Sequence, residues 1–132
     1  MQQIISVEII LYVSDQEKSV QFYEKLFRVS PDLHVPGMTE FRLSENCKLG
    51  LMPNNGIAKI LSDKTPHPTT GNGIPRCELY FNVDDVEYEF QHALSIGATL
   101  ISEIEVRSWN EKVCYFADND GHIIAFAEKI ND

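Results

Sequence analysis

The segment Glu8-Ile9-Ile10-Leu11-Tyr12-Val13-Ser14-Asp15 returns in altered form as Glu78-Leu79-Tyr80-Phe81-Asn82-Val83-Asp84-Asp85, 70 residues further on at every position. Each copy opens on a glutamate, runs through mostly apolar residues to a valine, and meets an acidic residue before a helical pattern begins. Self-similarity at a fixed offset means that one supersecondary unit has been used twice, and this constrains every other assignment.

In the first copy, Ile4 to Val13 is apolar and β-branched, broken only by Ser6 and Glu8 among its polar positions. It predicts a strand buried on both faces for most of its length. Ser14 with Glu17 has capping-box spacing, and Asp15 adds charge suited to a helix N-terminus. Val20, Tyr23, Leu26 and Phe27 then recur at helical spacing, with Glu17, Lys18, Glu24 and Lys25 off that stripe, so a helix is expected over 15–27. Ser30-Pro31 breaks it. Three short strands follow, at 32–35, 39–43 and 47–53, with turns at Pro36-Gly37 and Glu45-Asn46.

From Asn54 to Pro75 the composition shifts to Gly, Pro, Asn and Thr, which reads as the linker between modules, with a short helical turn at 57–61. The pattern then restarts. A strand is expected over 76–83, and Asp84 with Glu87 repeats the capping spacing. Val86, Phe90, Ala93, Leu94 and Ile96 supply an apolar stripe that Gly97 stops. Strands at 99–106, 112–117 and 122–129 complete the unit, the last two joined by Asp118-Asn119-Asp120-Gly121. The expected organisation is therefore one domain over 1–132, with a first module over about 1–53, a linker over about 54–75 and a second module over about 76–132, each module reading strand–helix–strand–strand–strand.

With 132 residues, 43% hydrophobic and 23% charged, the chain suits one compact soluble domain. No apolar run approaches the roughly 18 residues of a membrane span. Met1-Gln2-Gln3-Ile4 has neither a basic flank nor a cleavage pattern, so no signal peptide is expected. Cys47, Cys77 and Cys114 are isolated and odd in number, which predicts reduced thiols and a cytoplasmic protein. The net charge of −9 argues against nucleic-acid or anionic-membrane partners. It permits a cationic ligand, although solubility alone also accounts for it.

Three motifs carry a resemblance. One is Ser19-Val20-Gln21-Phe22-Tyr23-Glu24-Lys25-Leu26-Phe27, one is Ser95-Ile96-Gly97-Ala98, and one is the hairpin Phe116-Ala117-Asp118-Asn119-Asp120-Gly121-His122-Ile123-Ile124. In this order and spacing the whole chain resembles the vicinal oxygen chelate superfamily, which includes glyoxalase I, bleomycin-resistance proteins, fosfomycin-resistance enzymes and extradiol dioxygenases. It departs from that pattern with Phe27-Arg28 for Leu-Gly, Asn119 for Pro and His122 for Asn. The resemblance implies an α+β fold of two tandem βαβββ modules whose strands form a curved, cup-shaped mixed sheet. It also implies that metal-dependent members draw their ligands from the positions that are here Glu8, Gly50, Glu78 and Ala125.

Gly50 and Ala125 have no donor atom, while a catalytic metal usually takes three protein ligands. Two carboxylates without histidine fit zinc, nickel or iron(II) poorly. No cofactor is therefore expected, with a divalent metal held through Glu8, Glu78 and neighbours such as His122 or His34 as the alternative. His122 reads foremost as a hairpin residue.

Glu8 and Glu78 are the candidate catalytic or binding groups. Facing the cup together, they would repel, and one would hold a proton suited to acid–base work or to binding a cation. Paired with backbone or tyrosine, they would be structural. Tyr12, Phe41, Tyr80, Trp109 and Tyr115 are candidates for the cavity wall, with core packing as the competing reading for each. Trp109 stands out because it lies in the polar stretch Arg107-Ser108-Trp109-Asn110-Glu111. His67 reads as exposed loop and His92 as a solvent-facing helix residue.

Three functions follow. One is a homodimeric binding protein that holds a small organic, cationic molecule in an acidic cup, as bleomycin-resistance members do. Another is a metal-dependent lyase, isomerase or dioxygenase with an atypical ligand set. The third is a structural or regulatory module.

Overall fold

The computed structural model describes residues 3–131; the leader reading at Met1 and Gln2 and the C-terminal limit at Asp132 lie outside them. The chain divides into two compact units, Met1–Asn72 and Gly73–Asp132. Each is a βαβββ module, and the fold class is α+β.

The first unit comprises β1 (Val7–Val13), α1 (Gln16–Phe27), β2 (Leu33–Val35), β3 (Met38–Ser44), β4 (Cys47–Pro53) and α2 (Asn54–Leu61), followed by short 3-10 turns. Its sheet has the order β1-β4-β3-β2, with β1 parallel to β4 and the other pairs antiparallel. Strand alternation divides this sheet cleanly. Leu11, Val13, Thr39, Phe41, Leu49 and Leu51 are buried on the side of α1, whose Val20, Phe22, Tyr23 and Leu26 pack onto them. Phe27 closes edge-on against Phe41 at 5.7 Å between ring centroids. Residues 8, 10, 12, 38, 40, 42, 48, 50 and 52 are left on the face away from α1.

The second unit comprises β5 (Glu78–Asn82), α3 (Val86–Ser95), β6 (Thr99–Val106), β7 (Glu111–Ala117) and β8 (Ile123–Lys129). Its sheet repeats the topology as β5-β8-β7-β6, with β5 parallel to β8. Val86, Phe90 and Ala93 of α3 cover Leu79, Cys114, Phe116, Ile124 and Phe126. On the opposite face Val113, Ala125 and Ala127 are fully buried beneath Tyr80 and Tyr115.

Several sequence expectations shift. β1 starts at Val7, three residues after the expected Ile4, and it is an edge strand, so only Leu11 and Val13 are buried. The helix caps fall one residue later than Ser14 and Asp84. Asp15 accepts from the Lys18 N–H and Asp85 from the Tyr88 N–H, each at 3.1 Å. An aspartate at the N-cap reaches the N3 amide as well as a serine does.

α1 ends with Arg28 in the left-handed region at φ 60°, where glycine is favoured. In the segment expected to be linker, the expected turn at 57–61 is the second half of a longer helix, α2, which begins directly after Pro53 and buries Ile57. Among the described residues no helix is long and apolar enough to cross a membrane.

Candidate functional site

On the face of the first sheet away from α1, strand register sets Glu8 beside Lys48 and Ile10 beside Gly50. It sets Gly50 beside Glu40, and Lys48 beside Arg42. Two rows therefore cross β1, β4 and β3, one reading Glu8, Lys48, Arg42 and the next reading Ile10, Gly50, Glu40.

The Glu8 side chain leans from the first row into the second. A Cβ built on Gly50 would stand 2.5 Å from Glu8 Oε2, so the carboxyl occupies the space that any other residue would fill. There it meets Glu40, with which it forms a carboxyl–carboxyl hydrogen bond. Removal of the carboxyl from water, then the bond to Glu40 and its negative charge, hold Glu8 above the usual carboxylate range, while Lys48 opposes the shift. Lys48 Nζ lies 3.5 Å from Glu40 Oε1, whose side chain is only 17% exposed. Glu8 remains an exposed residue, so the neighbouring carboxyl makes its proton harder to lose while water still reaches it.

Glu8, Arg42, Glu45 and Lys48, with residues 6–7 and 46–47, line an open concavity of 250 Å³. Arg42 is held over it by Asp32 at 3.4 Å and by donating to the Glu45 carbonyl at 3.0 Å. Tyr12 lies on this same face of the sheet and is 38% exposed. Phe41 does not. It points to the opposite side and is fully buried against α1, because odd positions of β3 face the helix.

The second unit places the equivalent positions differently. Glu78 begins β5 beside Ile123 and is exposed. Tyr80 and Tyr115 flank Ala125 where Ile10 and Glu40 flank Gly50. Trp109 Nε1 donates to the Tyr80 hydroxyl at 2.8 Å, and that hydroxyl donates to Glu111 Oε1 in a short hydrogen bond. Burial and the Glu111 bond push the Tyr80 hydroxyl upward in pKa, with the Trp109 bond acting the other way. The Arg107 guanidinium sits 5.4 Å over the Tyr115 ring and donates to Ser102 Oγ at 3.0 Å. Trp109 itself is 53% exposed.

The histidines lie elsewhere. His34 bridges Thr39 Oγ1 at 2.8 Å and Glu17 Oε1 at 3.0 Å on the α1 side. His67 accepts from the Thr69 N–H and caps a 3-10 turn. His92 lies on α3 and stacks on Tyr88. His122 belongs to the β7–β8 turn, where Asp118 accepts from the His122 and Asp120 N–H groups at 2.8 and 2.9 Å and bonds His122 Nδ1 at 2.8 Å. Burial alone would lower the His122 pKa, but the Asp118 bond and charge, with Asp120, raise it above 6.5.

The donors present do not match a three-ligand metal centre at the family positions. Gly50 and Ala125 offer no atom, the Gly50 space is filled by the Glu8 carboxyl, and Lys48 already faces Glu40. Asp118, Asp120 and His122 are the one cluster of three such groups among the described residues, within 4.8 Å of one another. Asp118 and His122 are bonded to each other within the turn.

Sequence reasoning had singled out Glu8 and Gly50 but not Glu40, Lys48 or Arg42, and Tyr80 and Trp109 but not Glu111.

Residues 6–131 match the glyoxalase-like domain family. An uncharacterised protein of Mycobacterium bovis is 26% identical over 125 residues, covering 92% of this chain and 82% of that protein. Among solved structures, a glyoxalase-related enzyme from Fulvimarina pelagi superposes with a TM-score of 0.80 at 20% identity, over 97% of this chain and 89% of that one. A glyoxalase/bleomycin resistance protein/dioxygenase from Nocardioides gives 0.79 at 18% identity, over 99% and 86%. A glyoxalase/bleomycin resistance protein/dioxygenase family enzyme from Burkholderia phytofirmans gives 0.77 at 15% identity, over 98% and 100%.

Proposed function

The chain belongs to the glyoxalase-like domain family, and on that premise we propose that it binds a small organic cation at the Glu8–Glu40 carboxyl pair, without a catalytic metal. The observation that carries this reading is the Glu8 carboxyl lying over Gly50 against Glu40. A Glu8 carboxyl that holds its proton beside Glu40 can exchange it for a ligand ammonium, whose charge relieves the repulsion that raised it. Lys48 offsets one of the two negative charges, so the site takes a single positive charge. The net charge of −9 adds a long-range attraction for cations. The metal-dependent alternative is disfavoured by the donor set, since a lone carboxyl pair beside an ammonium leaves a divalent ion short of ligands.

Calorimetric titration with isoamylamine, run in two buffers of different ionisation enthalpy, tests the proposal. Binding is expected to release a proton near the pH at which Glu8 titrates, and to weaken in Glu8→Gln and Glu40→Gln. Binding that is indifferent to both substitutions would sink it.

A further inference from the structure

We infer that the natural ligand of this site is a zwitterion of amino-acid size, carrying its ammonium to Glu8, the member of the carboxyl pair that lines the concavity, and its anionic group to Lys48 and Arg42. The inference rests on the proposed function and names its ligand class. Its basis is the ordering of charge across the strands. Register places Glu8, Lys48 and Arg42 side by side on β1, β4 and β3, and the Glu8 carboxyl leans from that row toward Gly50, so the negative end lies at the β1 side and the positive end at the β4–β3 side. Glu8, Lys48 and Arg42 also line one concavity, so a ligand in it meets both ends.

The two cations differ in kind. Arg42 is held by Asp32 and the Glu45 carbonyl, and its side chain is 52% exposed, leaving the guanidinium open on its outer side. A guanidinium fixed in this way suits a carboxylate. Lys48 stands between the two ends and can serve either.

Size limits the class further. The concavity of 250 Å³ holds the equivalent of about eight waters at roughly 30 Å³ each. That is below the roughly 300–1,000 Å³ typical of drug-sized ligands. A simple amine would leave the Arg42 end unmatched, and a simple carboxylate would meet the acid pair with like charge.

The test compares leucine, isoamylamine and isocaproate by calorimetric titration at low ionic strength. Leucine is expected to bind about fivefold tighter than isoamylamine, the gain of one solvent-exposed ion pair. Isocaproate is expected to bind weakest. In Arg42→Met and Lys48→Met the leucine-to-isoamylamine ratio is expected to fall to about one, even where isoamylamine itself binds more tightly. A ratio of one in the unaltered protein overturns the zwitterion assignment and leaves the cation site standing, as does a ratio that neither variant changes. Failure of isoamylamine to bind, or binding unaffected by Glu8→Gln, overturns the cation site and the zwitterion assignment together.

Discussion

Replacing Gly50 with alanine isolates the carboxyl pair from everything else in the first unit. The new Cβ would lie 2.5 Å from Glu8 Oε2 and 3.3 Å from Ile10 Cγ1, so the Glu8 carboxyl must withdraw by roughly 0.9 Å to reach the 3.4 Å of ordinary contact. It can do so, being the free end of a flexible side chain on an edge strand. The backbone at position 50 is not left-handed, so alanine is conformationally acceptable.

Stability then changes little. Alanine in a strand gains about 0.5–1 kcal/mol over glycine through the unfolded state. Losing the Glu8–Glu40 bond costs about 1 kcal/mol. The net effect is within about 0.5 kcal/mol, a shift of a few degrees at most in Tm. Function changes more. Glu8 should return toward the ordinary carboxylate range, and affinity for isoamylamine should drop about fivefold, the worth of one exposed ion pair. Carboxyl-carbon NMR titration reads the first and calorimetry the second. If Glu8 stays high and the affinity is unchanged, the pair over Gly50 is not the binding site.

Further outcomes follow from other contacts. Glu8 is raised in the folded state, so its contribution to stability is fully present below 4.5 and is lost as pH rises through the folded value. Glu8→Gln should therefore flatten the fall in Tm above that window and leave the acidic end unaltered, which pH-dependent thermal melts will show. His122 is also raised, so its contribution is complete below 6.5 and lost as pH rises through the folded value; His122→Asn should remove that slope from urea-melt stabilities as pH rises from 6.5. Asp118→Ala removes the acceptor of two backbone N–H groups and of His122, and should cost about 3 kcal/mol in urea unfolding. Arg28→Gly relieves a left-handed arginine at the end of α1 and should add about 0.5–1 kcal/mol by the same assay.

The repeat made most of the fold legible. Once Glu8 and Glu78 are aligned, the strand–helix–strand order of each unit follows from apolar period and turn residues. Of α2 only the turn at 57–61 was legible, because Asn54, Asn55 and Gly56 have loop composition and the helix buries little beyond Ile57. Of the carboxyl-pair site, only Glu8 and Gly50 were legible, through the repeat. Glu40 was within reach, because the alternation Thr39, Glu40, Phe41, Arg42 puts it on the face opposite the apolar positions. The same alternation assigns Phe41 to the helix side. That Glu40 meets Glu8 was beyond reach, since it needs the register of β3 on β4 and the empty space at Gly50, and neither has a local signature.

The two units share one helix-covered face and differ on the other, and the difference has a physical logic. Positions that pack under α1 and α3 are constrained by volume, so the repeat keeps them apolar: Leu11 and Phe81, Leu51 and Phe126. Positions on the opposite face carry no such constraint. There Ile10, Gly50 and Glu40 correspond in register to Tyr80, Ala125 and Tyr115. One unit uses the space over a glycine to bring the Glu8 carboxyl against Glu40. The other fills the space around an alanine with two tyrosines, fixing one through Trp109 and Glu111. Exchanging one set for the other should leave each helix-packed core intact. Grafting Tyr at position 40 should therefore abolish amine binding while the protein still unfolds cooperatively, because Glu40 contributes its carboxyl to the site and nothing to the packing under α1.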